Sequence, residues 1–309
     1  MITRTVTPSE SGKRLHRYIR TLMPNYPLGQ IYKMIDAGKV RVNGKRKKQN
    51  YEMAAGDELT IFVDEETFQQ SAGEEKKPKF VGVNANIDVV FEDDELLVVN
   101  KPAGLLTHPD QTEQKDTLIT RVHAYLYRKG QLDSKLFLPA SANRLDRNTS
   151  GLVLVGKTAG ALHRLNQAVQ QRAVGKFYLT VVEGRLAGKG TIAASLARDE
   201  KSNRTRVDRS EDAKDAVTHY EALQSANGYT LVEVELESGR THQIRTHFQS
   251  IGHPLLGDVK YGGKPFDNVN YQLLHAWKLT LPDGRAFTAP PSAAFGAVLR
   301  KLRLSLPNA

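Results

Sequence analysis

Apolar residues recur at Leu15, Tyr18, Ile19 and Leu22 and, after Pro24-Asn25-Tyr26-Pro27, at Leu28, Ile31, Tyr32 and Ile35. Steps of three and four put each set on one face of a helix, so two short amphipathic helices are predicted. Gly38 stands where a left-handed C-cap would end the second. The period then drops to two. Val40 and Val42 alternate with Lys39 and Arg41, Asn43-Gly44 suits a type I′ hairpin turn, and Leu59, Ile61 and Val63 alternate after Gly56-Asp57. Residues 64–80, with Glu65, Glu66, Glu74 and Glu75 among small and polar residues, have little to bury and predict a flexible acidic linker.

Beyond the linker, strands are predicted at 87–92 and 96–100 around an acidic turn, at 152–155 as a fully buried run, and at 176–184. Two more, at 216–223 and 230–237, are joined by Asn227-Gly228, and another pair, at 273–281 and 287–289, by Pro282-Asp283-Gly284-Arg285. Helices are predicted over 117–128, after Thr158 as N-cap with Leu162, Leu165 and Val169 inward, and at the C-terminus with Val298, Leu299 and Leu302. A further helix carries Ile244, Phe248 and Ile251 on its apolar side and His242, Arg245 and Gln249 on another. Residues 185–212, rich in Gly, Lys, Arg and Ser, predict irregular strands and loops able to touch RNA. The fold class is α+β: a mixed, mostly antiparallel sheet with flanking helices over 81–309, preceded by a small α/β unit over 1–63.

Composition adds a partner class. The 309-residue chain carries a formal charge of +10, which predicts attraction to a polyanion, nucleic acid first. Between Lys13 and Val63 eleven Lys and Arg face four acids, a surplus of seven. Lys13, Arg14, Arg17, Arg41, Lys45, Arg46 and Lys47 are the candidate phosphate contacts of this unit, although Lys45–Lys48 alone reads equally as a solvated hairpin end. No apolar run spans a bilayer and no signal-peptide h-region opens the chain, so membrane association is not expected and the cytoplasm is. Without cysteine there is no disulfide, thiolate metal site or Cys nucleophile.

The candidate chemistry centres on Asn143-Arg144-Leu145-Asp146-Arg147-Asn148-Thr149-Ser150-Gly151, just before Leu152-Val153-Leu154-Val155. Flanking arginines favour an ionised Asp146, and a strand behind the turn would anchor it. Locally the stretch reads either as a presented carboxylate or as a surface turn with two solvated arginines. The chain lacks phosphate-loop and dinucleotide fingerprints, a zinc-protease helix and a serine-hydrolase elbow. His242 and His247 read as structural or phosphate-contacting rather than as metal ligands. What remains is Asp146, Tyr178, and the arginines Arg240 and Arg245 around a helix start.

Two resemblances organise these residues. Leu15, the Ile31–Ile35 helix, Gly38-Lys39-Val40-Arg41-Val42-Asn43-Gly44 and Gly56-Asp57-Glu58-Leu59 resemble the S4 RNA-binding domain. Asn143–Gly151, Lys176-Phe177-Tyr178, Gly239–His247, Gly252–Asp258 and Leu274-His275-Ala276, with Lys101-Pro102-Ala103-Gly104, are similar in kind and order to the RluA-type pseudouridine synthases. That similarity implies Asp146 as nucleophile or helper of base elimination, Tyr178 as the base-stacking tyrosine that also serves in proton removal, and Arg245 as partner of the aspartate. It also implies Arg240 at a phosphate, Arg144 filling the space of an extruded base, Arg147 at the RNA, and neither metal nor other cofactor. Where the family usually has His before Arg-Leu-Asp, this chain has Asn143. The resemblance points to structured RNA, 23S ribosomal RNA foremost, handled by a monomer without obligate protein partner. Transfer RNA as target and a non-catalytic ribosome-assembly role are the alternatives.

Overall fold

The computed structural model describes residues 1–72, 80–132, 136–199, 202 and 204–306. The first unit is a three-stranded antiparallel sheet, β1 (Ile2–Thr5), β3 (Glu58–Ile61) and β2 (Val40–Val42), packed under α1 (Leu15–Leu22) and α2 (Leu28–Asp36). The helical and alternating patterns converge on one core of Leu15, Ile19, Ile31, Ile35, Val40, Val42, Leu59 and Ile61. Asn43 and Gly44 both take positive φ, as a type I′ turn requires, but the return strand is a single bridge, Val42 to Lys45. The lasting partner of β2 is β3, because Leu59 and Ile61 have a core face to bury and Lys45–Lys48 do not.

The expected linker is a correction. Asp64 caps a helix, α3 (Glu65–Ser71), accepting from Thr67 N at 2.7 Å, and Phe68 packs against the core of the first unit. An N-cap, two acids in the first turn and one apolar contact suffice for a short helix in a segment with little else to bury. The remainder of that linker, 73–79, lies outside the described residues.

The larger unit is built on a ten-stranded sheet. Its strands are β4 (Asp88–Glu92), β5 (Leu96–Lys101), β6 (Ala140–Ser141), β7 (Ser150–Gly156), β8 (Gly175–Glu183), β9 (Lys189–Ala193), β12 (Val217–Ala226), β13 (Tyr229–Leu236), β14 (Leu274–Thr280) and β15 (Ala286–Thr288). The main order is β4-β5-β7-β14-β8-β13-β12-β9, with β6 on β7 and β15 on β14. Among the described residues of this sheet only the β7–β14 pair is parallel. Within the stretch expected to be irregular, β9 joins this sheet, while β10 (Leu196–Asp199) and β11 (Arg204–Val207) form a separate hairpin.

Both faces of the sheet are covered, which explains why 152–155 is apolar at every position. Val153, Val155, Tyr178, Val182, Val232 and Val234 meet α4 (Leu118–Arg128) and α6 (Gln243–Ser250) on one side. On the other, Leu179, Val181 and Leu231 meet α7 (Ala293–Leu302), and Leu152 and Leu154 share a cluster with Leu165 of α5 (Ala159–Gln170). The two units touch where Gly160 N donates to Ser11 O at 2.9 Å and Lys13 Nζ to Leu136 O at 2.6 Å. Among the described residues no helix is long and apolar enough to cross a membrane.

Gly151, the second residue of β7, has φ +115°, and a Cβ there would lie 2.2 Å from Ala276 O on β14. Gly151→Ala must therefore part the parallel pair directly behind the Asp146 loop. An expected loss of about 3 kcal/mol or more is read by urea denaturation.

Candidate active site

Asp146 lies in the loop that feeds β7, and the backbone on both sides of it is held. Thr107 Oγ1 donates to Leu145 O (3.0 Å) and accepts from Leu145 N (3.2 Å), and Thr149 N donates to Asp146 O (3.1 Å). Lys101, fully buried, donates to the carbonyls of Pro102 (2.9 Å), Leu105 (2.7 Å) and Arg147 (3.0 Å). Burial pushes the Lys101 ammonium down to about 7, opposed by the charge of Asp146. Three carbonyl acceptors match the three N–H groups of the protonated form. Asn143 bonds along β7, its Nδ2 to Leu152 O (3.2 Å) and its Oδ1 from Leu154 N (2.8 Å). An amide supplies the donor and acceptor that a strand edge requires, so this departure from the family pattern still ties the loop to the sheet.

Asp146 is anchored by a different arginine from those beside it in sequence. Arg245, on α6, gives Nε and Nη2 to Asp258 (2.6 and 2.8 Å) and Nη1 to Asp146 Oδ2 (3.3 Å). The side chains of Arg245 and Asp258 are 7% and 1% exposed, that of Asp146 29%. A buried bidentate pair thus aims a guanidinium at a carboxylate that remains open to solvent. The Tyr261 ring lies beneath the guanidinium, 4.6 Å away. Arg144 is exposed, and Arg147 turns away to Thr112 and to Asp110 at 3.8 Å. Adjacent side chains on a turn diverge, whereas α6 brings in Arg245, the residue expected to pair with the aspartate, from 99 residues away.

His242 precedes α6 in a left-handed conformation (φ 54°), with Nε2 3.7 Å from Asp146 Oδ2. Burial pushes its imidazole down to about 4; Asp146 and Asp258 oppose this, while Arg245 and Lys260 add to it. It is therefore neutral at pH 7. Gln249, expected on the same face, is exposed. His247 is a satisfied structural residue, bonded to Thr218 Oγ1 (2.9 Å) and Ala194 O (3.1 Å). Tyr178 is 8% exposed within the cluster that includes Leu145, Ile244 and Ala276. Burial, then the Asp146 charge, pushes its phenol well above the ordinary range, so it is neutral at pH 7.

Asp146, His242, Arg245 and Asp258 line a cleft of about 840 Å³ together with Arg144, Arg147, Arg198, Arg240 and Lys260, whereas Tyr178 lies in the core beneath and is not among the lining residues. Arg240 Nε also donates to Asp215 O (3.2 Å). In the first unit Arg14, Arg17, Arg41, Lys45 and Arg46 are exposed, and Lys47 is half-buried with its Nζ 4.6 Å from the Tyr51 ring centre. Lys13 is committed to the junction between units and lies 6.0 Å from the Phe137 ring centre. Asp258, Tyr261, Thr107 and the support role of Lys101 were invisible to residue-type reasoning. The motif segments containing Asp258 and Lys101 were the only signal of them.

Comparison with known proteins is consistent across sequence and structure. A family profile described as RNA pseudouridylate synthase matches residues 95–250, and one described as S4 domain matches residues 13–59. The chain is 32% identical over 308 residues to the uncharacterized RNA pseudouridine synthase YlyB of Bacillus subtilis, covering 97% of each protein. It is 34% identical over 285 residues to the ribosomal large subunit pseudouridine synthase D of Nitrosomonas europaea, covering 90% of this chain and 79% of that one. The structure of human RNA pseudouridylate synthase domain containing 4 superposes with a TM-score of 0.59 at 25% identity, over 72% of this chain and 95% of that one.

Proposed function

Since the chain belongs to the RluA-type RNA pseudouridine synthases and carries an S4 domain, we propose that it isomerises uridine in large-subunit (23S) ribosomal RNA, with Asp146 as nucleophile and no cofactor. One observation carries the assignment to Asp146: a solvent-open carboxylate on a clamped backbone, faced by a guanidinium that a buried second carboxylate orients. Arg245 keeps its charge throughout and stabilises the ionised Asp146 before attack.

Asp146 attacks the ribose C1′ of an extruded uridine, or assists departure of its base, and the C1′–N1 bond breaks with its electron pair leaving on uracil. The base turns, C5 bonds to C1′, Asp146 is released, C5 loses its proton and N1 gains one, with no net redox change. Extrusion costs a few kcal/mol, which favours loops over intact duplex. Tyr178, neutral and edged by the Asp146 charge, suits stacking on the base. Drawing a proton through it becomes easier once that charge is consumed in a bond to ribose. Arg144, exposed at the cleft, can occupy the space the base vacates. Arg147, Arg240 and Lys260 are suited to phosphates around it.

The S4 unit adds the sequence-independent part of affinity through Arg14, Arg17, Arg41, Lys45, Arg46 and Lys47. The test compares 23S and transfer RNA transcripts, with pseudouridine read by carbodiimide-blocked primer extension. Modification is expected on the 23S transcript. Exchanging Arg14, Arg17 and Arg41 for Gln should weaken binding and flatten the salt dependence by roughly one unit of slope for each phosphate-bound arginine replaced. Preferential modification of transfer RNA, with the triple variant unimpaired, would sink the ribosomal assignment.

A further inference from the structure

Tyr261 is 1% exposed, and its hydroxyl has two neighbours at 2.8 Å. One is the backbone N–H of Thr205, on the β10–β11 hairpin, which can only donate. The other is His242 Nδ1. If Nδ1 carried a proton and donated as well, the phenol hydrogen would have no acceptor among the described residues in a site closed to water, at a cost of about 1–3 kcal/mol. The hydroxyl therefore donates to Nδ1, and a neutral His242 keeps its single proton on Nε2.

Nε2 is the atom that faces Asp146. Arg245 Nη1 and His242 Nε2 both approach Oδ2, and among the described residues Oδ1 is engaged by neither. We infer that His242 is a positioning residue for Asp146: Tyr261 locks the imidazole in the tautomer that turns an N–H, rather than a lone pair, toward the carboxylate. This rests on Asp146 being the nucleophile. Bonded by Arg245 and faced by the His242 N–H at 3.7 Å, Oδ2 becomes the anchored oxygen and Oδ1 the one that reacts. A lone pair at 3.7 Å would instead repel the carboxylate, and an imidazolium would compete with Arg245 for it and blunt its nucleophilicity. The β10–β11 hairpin joins the same chain, since Thr205 leaves the phenol no other use for its proton.

Tyr261→Phe keeps the ring beneath Arg245 and removes only the hydroxyl. In single-turnover reactions at saturating RNA the variant should react at least about twofold more slowly, because half or more of the imidazole is in the wrong tautomer or charged. Affinity for RNA should not change. Donation to Nδ1 favours neutral imidazole, so its loss should move the acid limb of the rate profile to higher pH, while burial, the main cause of the lowered His242 pKa, remains. The groups that can shape this limb are Asp146 on its loop, Arg245 on α6, Asp258, Lys260 and Tyr261 beyond it, and Arg204 on the hairpin. His242→Gln sets an amide near Nε2 with no tautomer to choose. Against the rate of His242→Gln itself, Tyr261→Phe added to it should cost no further rate beyond any loss of folded protein.

An unchanged rate and acid limb in Tyr261→Phe overturns the inference, as does an equal rate loss from Tyr261→Phe in the His242→Gln background, which would mark a packing role. Asp146→Asn is run alongside. If that variant is active, the nucleophile assignment falls and this inference with it; if it is inactive while Tyr261→Phe behaves as wild type, only the role of His242 is lost.

Discussion

Asp146→Asn is expected to reduce pseudouridine formation by on the order of 10⁴-fold or more while leaving folding and RNA affinity close to wild type. The amide has nearly the same shape but neither the charge nor the basicity to open a bond at ribose. The side chain is 29% exposed, so the exchange buries no orphaned group. Arg245 retains its two bonds to Asp258 and stays in place. The measurement is a single-turnover time course on 23S transcript beside a binding titration. Sustained modification by the variant would remove Asp146 from the chemistry, whereas joint loss of binding and rate would make it an RNA contact.

Asp258→Ala is expected to give the largest stability loss of any single change at the site, about 3–5 kcal/mol. The carboxylate is 1% exposed and accepts two of the three bonds of a guanidinium that is itself 7% exposed. Its removal leaves a buried cation whose remaining carboxylate is 3.3 Å away at the solvent edge. Urea denaturation reads the stability, and the same preparation should be nearly inactive because Arg245 no longer aims Nη1 at Asp146. Replacing the pair together, Arg245→Met with Asp258→Leu, removes charge and partner alike. That double variant should be more stable than Asp258→Ala alone and still inactive. If Asp258→Ala costs under about 1 kcal/mol, solvent must reach the pair and the orienting role of Asp258 is wrong.

Much of the architecture could be read from local patterns, since those patterns record burial directly. The run 152–155 is apolar throughout because β7 is covered on both faces, and the steps of three and four at Leu15 and Leu28 repeat the inward faces of α1 and α2. Asn227-Gly228 takes the two positive φ values its residue types permit, joining β12 to β13. Segment 64–72 misled because weak helices depend on a cap and one apolar anchor. Asp64 and Phe68 supply these, but so sparse a signal is hard to separate from solvated chain.

The site divides along the same line. Asp146 and Arg245 were named as a pair from motifs, whereas the local argument could say only that the flanking Arg144 and Arg147 favour an ionised carboxylate, because sequence neighbours are all that a linear string can pair. Only the tertiary structure brings α6 against the β7 loop and turns Asp258 onto the back of Arg245. It also sets Lys101 beneath the backbone of the next residue and links Thr205, Tyr261 and His242 in one chain of bonds. Periodicity encodes which face of an element meets the core, so elements and chemistry-bearing segments follow from the string of residues. The direction of a carboxylate, the tautomer of an imidazole and the cation that faces Asp146 depend on contacts between residues far apart in sequence. Those contacts exist only once the sheet has assembled.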